Sequence, residues 1–328
     1  GSPRYVMEAV GIVLITILAY ILSKKVGGVT LALPILGALA LGAQRLLPAL
    51  QNIFSSWASI VASKRALADI VDLLDQPINN ELIGLSSDPL KFDNSINFND
   101  LRFRYSGDSL WVLDGINLTI SKGARYGFIG RTGSGKSTLL DLFMGLLKPT
   151  EGELLIDGKH ISGYLLRAWQ QKIAHVPQSI YLTDATLAEN IAFSVPPKDI
   201  DLKRVHKAAK QAQISEYIES DPKGYDALVG ERGIKLSGGQ LQRIGIARAL
   251  YKQPSVLVFD EATSALDTET EYSVMDAIEG LDRSLTILII AHRLTTLQKC
   301  DTIVELEDGR VSAKGTYEQM IEAQSFNK

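Results

Sequence analysis

The run Gly130-Arg131-Thr132-Gly133-Ser134-Gly135-Lys136-Ser137-Thr138 decides how the rest of the chain is read. It sets a glycine, four residues and then Gly-Lys-Ser, the spacing of a phosphate-binding loop. Such a loop needs a buried strand before it and a helix after it. Tyr126-Gly127-Phe128-Ile129 reads as that strand, and Thr138 to Met144 as the opening of that helix. Glycines let successive backbone N–H groups turn inward around an anion, and the helix N-terminus adds partial positive charge. Lys136 would then reach the β- and γ-phosphates of a nucleotide, and the Ser137 hydroxyl would ligate Mg2+. Without its flanks the same run would be a glycine-rich turn with a solvated lysine.

Toward the C-terminus, three more apolar runs read as strands. Ile173 to Val176 ends at Pro177-Gln178, Val256 to Phe259 at Asp260-Glu261, and Thr286 to Ile290 just before His292. Gly130, Gln178, Asp260 and His292 thus each stand at or just past the C-terminal end of a strand. Ligands of an open parallel α/β sheet bind along that edge, so chain direction alone brings the four to one crevice. There Asp260 would hold Mg2+, through water because this ion sheds water reluctantly. Glu261 would act as general base toward an attacking water; adjacent acids away from such a strand are usually a solvated turn. Leu236-Ser237-Gly238-Gly239-Gln240 precedes an amphipathic helix, Leu241 to Leu250, and reads either as an anion site or as an ordinary serine N-cap. Ile96 to Phe98, Leu101 to Tyr105 and Ile116 to Ile120 alternate as strands of an antiparallel subdomain. Thr183 to Leu250 is mainly helical apart from a loop near Gly230.

The chain of 328 residues has room for more than one domain, with ordinary hydrophobic (46%) and charged (22%) fractions. A net charge of −3 gives no reason to expect nucleic acid as a partner. Cys300 is the single cysteine, which excludes an intrachain disulfide and fits a reducing compartment. Residues 1–50 carry only Arg4, Glu8, Lys24, Lys25 and Arg45 as charges. Within them, Tyr5 to Leu22 and Val29 to Leu50 are apolar runs of membrane-spanning length around the turn Ser23 to Gly28, the pattern of a transmembrane hairpin. A helix pair buried in a soluble bundle has the same composition; a cleaved signal peptide fits less well with two runs and no cleavage pattern. Lys24 and Lys25 argue weakly against an outside turn. Helical spacing continues from Gln51 to Asp75, predicting one long helix that stops before Pro77. The expected division is a partial transmembrane domain over 1–76, a linker over 77–94 and a nucleotide-binding domain over 95–328.

With these residues in place, the chain resembles the ATP-binding cassette proteins. Leu236 to Gln240 is similar to their signature, and the other motifs follow in the family's order. Gln178 resembles the Q-loop glutamine, Ser264-Ala265-Leu266-Asp267 the D-loop, and His292 the switch histidine. Tyr105 is similar to the aromatic that stacks on adenine, although by pattern alone it is equally a half-buried strand residue. Gly230-Glu231-Arg232-Gly233 resembles an exporter element that touches the membrane domain. Residues 4–76 resemble the last two spans of a six-span half-transporter with its helix into the cassette, so the chain reads as a C-terminal fragment lacking four spans.

The resemblance implies a P-loop NTPase cassette: a mostly parallel α/β sheet with antiparallel β and helical subdomains. It implies ATP and Mg2+ as cofactors. Tyr105, Gly130, Arg131, Thr132, Gly133, Ser134, Gly135, Lys136, Ser137, Thr138 and Gln178 would bind ATP. Ser237, Gly238, Gly239, Gln240 and Asp267 would bind ATP as well, with Ser237 and Gly239 supplied by an opposing cassette. Ser137, Gln178 and Asp260 would hold the metal, and Lys136, Glu261 and His292 would carry catalysis. Implied partners are a second cassette, identical or related, in a head-to-tail dimer; membrane lipid; and the missing spans. The implied place is the inner or plasma membrane, with the cassette cytoplasmic. Pro3-Arg4-Tyr5 and Pro34 to Leu39 look somewhat like exporters that flip lipid-linked saccharides. Peptide or drug export, a soluble non-transport cassette ATPase and a non-hydrolysing regulatory module are the alternatives.

Overall fold

The computed structural model describes residues 2–24, 28–75, 90–107, 109–230, 234, 236–261 and 267–326. The expected linker up to residue 89, Glu231-Arg232-Gly233 of the exporter element and Ser264-Ala265-Leu266 of the D-loop lie outside them. The chain divides into two compact units, Gly1–Ile78 and Asn79–Lys328.

The first unit is a helical hairpin of α1 (Ser2–Ser23) and α2 (Gly28–Leu74), which pack on each other. The second apolar run and the amphipathic stretch after it are one helix of 47 residues, with Pro34 and Pro48 inside it. At 1.5 Å per residue that is about 70 Å, against about 30 Å of bilayer hydrocarbon. The stretch Leu33–Leu74 is long and apolar enough to cross a membrane, and none of its apolar window is buried. Ile12, Leu14, Leu33, Leu41 and Ile53 are all exposed.

The second unit is built on two sheets. β1 (Ser95–Phe103), β2 (Leu113–Ser121), β4 (Glu151–Ile156) and β5 (Lys159–His160) form an antiparallel sheet in the order β2-β1-β4-β5. The two strands read separately around residue 100 are one strand, irregular in register where Asp100 takes a left-handed backbone (φ 43°). Tyr105 lies past its end. β3 (Arg125–Ile129), β6 (Ile173–Val176), β7 (Val256–Asp260), β8 (Thr286–Ile290), β9 (Thr302–Glu307) and β10 (Arg310–Gly315) form the second sheet, in the order β10-β9-β3-β8-β7-β6. All of its pairings are parallel except β9 with β10. The helices are α3 (Lys136–Phe143), α4 (Tyr164–Lys172), α5 (Leu187–Ile191), α6 (Leu202–Gln211), α7 (Ser215–Ser220), α8 (Gly238–Tyr251), α9 (Thr268–Glu279) and α10 (Tyr317–Phe326).

The parallel strands are apolar throughout because both their faces are covered. Side chains alternate across a strand, so each strand feeds two cores. Phe128, Val256, Val258, Leu288 and Ile290 pack with α3, α4 and the antiparallel sheet, around Phe143 and Trp169. Ile129, Leu257, Phe259, Ile287 and Ile289 pack on the other face with α5, α6, α8 and α9. The Trp169 indole N–H donates to the Phe143 carbonyl at 2.8 Å, so burying the ring strands no donor.

Candidate functional site

Register brings the polar residues together. Phe128 on β3 pairs with Ile290 on β8, Ile290 with Asp260 on β7, and Phe259 with Val176 on β6. Gly130, Asp260, His292 and Gln178 therefore leave the sheet on one edge, as chain direction requires. The phosphate loop passes from β3 to α3 there. Gly130 has φ 148°, and a β-carbon on it would strike the Leu306 carbonyl and the Ser134 hydroxyl. Gly135 caps α3 in the left-handed conformation (φ 98°) with no side-chain acceptor. The first N–H groups of α3 thus keep no capping side chain, the arrangement that accepts an anion.

An open cavity of about 290 Å3 lies over this helix start, lined by Thr132, Gly133, Gly135, Lys136, Ser137, Thr138, Val112, Glu261 and His292. Lys136 is buried and curls over its own loop, donating to the Gly130 carbonyl at 2.8 Å and the Arg131 carbonyl at 2.9 Å. Burial pushes its pKa down, while Glu261 and then Asp260 pull it up. Across the cavity, His292 Nε2 lies 2.6 Å from Glu261 Oε1. Glu261 holds a left-handed backbone (φ 49°), with its N–H on the Ile290 carbonyl at 3.2 Å. For a residue with a β-carbon this costs about 1–2 kcal/mol, a strain that aims the carboxylate over the loop. Burial raises the pKa of Asp260; His175 pulls it down, Glu261 and Asp141 push it up, and Lys136 pulls it down.

Tyr105, Gln178, Ser237, Gln240 and Asp267 are not among the residues lining this cavity. Tyr105 is 67% exposed, edge-on to Phe103 with centroids 5.0 Å apart, and its hydroxyl lies 3.4 Å from Thr138 Oγ1. The Gln178 carbonyl accepts from Gln242 Nε2 on α8 at 3.1 Å. Ser237 and Gln240 form a capping box: Ser237 Oγ accepts the Gln240 N–H at 3.3 Å, and Gln240 Oε1 accepts the Ser237 N–H at 2.8 Å. The stretch is thus a serine N-cap, as one of its two readings had it. Asp267 caps α9 through the Thr270 N–H at 3.0 Å. Sequence reasoning passed over Val112, Asp141, His175 and Gln242. The first three carried no motif, and Gln242 was only one more polar residue on an amphipathic helix.

A serine hydroxyl, a carboxylate and an amide are hard oxygen donors that suit Mg2+. Asp260, raised first by burial and then by the neighbouring carboxylates Glu261 and Asp141, is a partly buried acid whose charge a cation at this edge would stabilise.

Comparison with known proteins agrees with this fold. Residues 113–264 match the model of the ABC transporter family. Those residues form a domain of that family. The chain is 43% identical over 256 residues to a protein named ATP-dependent lipid A-core flippase from Chromohalobacter salexigens, covering 78% of this chain and 44% of the relative. A protein of the same name from Idiomarina loihiensis is 38% identical over 278 residues, covering 85% and 47%. Among solved structures, a bacterial Atm1-family ABC exporter with ATP bound matches with a TM-score of 0.69 and 30% identity, over 98% of this chain and 56% of that one. The chain spans about half the length of the curated relatives it matches. The second unit is thus an ABC cassette with a P-loop NTPase fold, a type of domain that binds ATP.

Proposed function

We propose that this chain is the ATPase part, with the last two membrane spans, of an exporter that moves an amphipathic substrate across a membrane. The observation that carries the chemistry is the 2.6 Å pair of Glu261 and His292 facing Lys136 across one cavity. ATP would lay its phosphates over the uncapped start of α3 and its adenine against Tyr105. Lys136 would exchange two carbonyl oxygens for phosphate oxygens, a stronger, charge-assisted contact. Ser137, Asp260 and Gln178 would hold Mg2+, whose charge offsets that of the phosphates. His292 would hold the γ-phosphate and the water, and Glu261 would take the water's proton. Phosphoryl transfer of this kind needs position and charge more than covalent help.

Ser237 to Gln240 and Asp267 stand outside the cavity lining of their own chain. This favours their use in trans: a second cassette, head to tail, would bring its Ser237 hydroxyl and α8 N-terminus to the γ-phosphate. The hairpin's exposed apolar faces favour a place in the membrane, with the cassette in the cytoplasm and the hairpin against lipid and further spans. The names of the similar flippases favour a lipid with a large polar head as cargo over a peptide or a drug. The domain limits 1–76, 77–94 and 95–328 belong to the same reading.

Phosphate release from Mg-ATP by the whole chain in detergent tests it. Turnover per chain should rise with chain concentration, because each site is completed by a partner, and Lys136→Ala should abolish it. Equal release by Lys136→Ala, or a rate per chain independent of concentration over a range in which the chain dimerises, would refute the assignment.

A further inference from the structure

We propose that Glu271 is a positioning residue that ties the switch histidine of a cassette to the signature helix of the same chain, so that γ-phosphate capture at one site aligns the residues serving the other. This rests on the ATPase reading above. Glu271 lies in the first turn of α9, its side chain 13% exposed. One of its oxygens accepts the Thr296 hydroxyl at 2.7 Å, and the other lies 3.6 Å from Arg293 Nη1. Both partners belong to the segment that follows His292, and Thr296 is buried. That segment is thus fastened to α9 at two points by one carboxylate.

The same first turn touches the signature. Thr270, next to Glu271, donates its hydroxyl to Asp267 Oδ2 at 2.7 Å, which turns its methyl toward α8. A β-carbon on Gly239 would collide with that methyl. The glycine is not needed for its backbone angles, since Gly239 is helical and has negative φ. It is needed because α9 comes this close. Further along, Arg243 on α8 donates to the Ser273 carbonyl at 3.2 Å and to the Ser273 hydroxyl, so the two helices are clamped twice. The contiguous path is His292, Arg293 and Thr296, Glu271, Thr270, Gly239. Packed contacts of this kind move as units and do not stretch. A pull on His292 by phosphate would therefore shift the start of α8.

Contiguity alone does not establish coupling, so the test is a mutant cycle. Glu271→Ala removes both fastenings, Thr296→Val removes one hydroxyl without changing shape, and Glu271→Gln keeps an acceptor for Thr296. For the whole chain in detergent, Glu271→Ala and Thr296→Val should each lower kcat for ATP about tenfold, with KM within about twofold. The double variant should be no worse than Glu271→Ala, and Glu271→Gln should recover most of the rate. In hydrogen exchange, Mg-ATP should protect residues 130–138 in every variant, but residues 237–243 only in the parent and in Glu271→Gln. Additive losses, an unchanged kcat, or protection of 237–243 in Glu271→Ala would overturn the relay while leaving the ATPase reading intact. No protection of 130–138 in the parent would overturn both.

Discussion

Glu261→Gln is the most informative single change. The side chains are isosteric, so the left-handed backbone at φ 49° and the contact with His292 both survive, and the strain is the same in both proteins. Melting should therefore move by no more than about 0.5 kcal/mol equivalent. What disappears is one negative charge and one proton acceptor. A general base contributes about 10²- to 10⁴-fold, or about 3–5 kcal/mol of barrier, and turnover should fall by that factor. Binding should move the other way. Two unit charges about 6 Å apart at an effective dielectric constant of about 20 repel by about 3 kcal/mol. Lys136, which shares the cavity with Glu261, would meet the phosphates there and cancel much of this; we expect ATP to bind roughly threefold to tenfold more tightly. Asp260 still supports the charge on Lys136 in the variant. Phosphate release gives the rate, and titration with a fluorescent ATP analogue gives the affinity. Turnover at the parental rate, or weaker nucleotide binding with unchanged melting, would refute Glu261 as base.

Tyr105→Ala should weaken ATP binding by about 1–3 kcal/mol, the usual worth of stacking on a base, without shifting the melting temperature, because the ring is 67% exposed; Tyr105→Trp should bind normally. Gly239→Ala should destabilise the cassette by about 1–3 kcal/mol through overpacking, and Thr270→Ser should restore it by removing the methyl that the new β-carbon meets; thermal melting of the single and double variants checks this. Burial alone would raise the Asp157 pKa, but three N–H groups, from Asp93 at 2.6 Å and from Asn94 and Ser95 at 2.8 Å each, outweigh it and hold the carboxyl below its ordinary value. Its stabilisation is therefore fully present above about pH 4 and is lost as the pH falls through the lower folded value. The stability gap between the parent and Asp157→Ala, measured by denaturation, should be constant near neutrality and close in that acid window.

The parallel sheet, its edge and the loop at Gly130 were legible in the sequence because each is set by short-range pattern. An apolar run buried on both faces can only be an inner strand or a core helix, and the glycines and Pro177 bound its length. The long α2 was legible for the same reason, since helical spacing runs through Asp75 with nothing after Pro48 to stop it. The merging of two read strands into β1 was not. Asp100 interrupts the alternation, and only pairing with β2 and β4 on both sides carries the strand across it.

The sequence by itself determined which polar groups gather at one sheet edge, since motif spacing and chain direction place them there. Tertiary structure decided how they are held. Lys136 rests on its own loop, Glu261 is bent into a left-handed backbone against Ile290 and bonded to His292, and Gly239 is small because Thr270 lies against it. The Glu261 and Gly239 contacts join segments far apart in the chain. Such contacts form only when the two faces of the sheet are packed, and no local spacing encodes them.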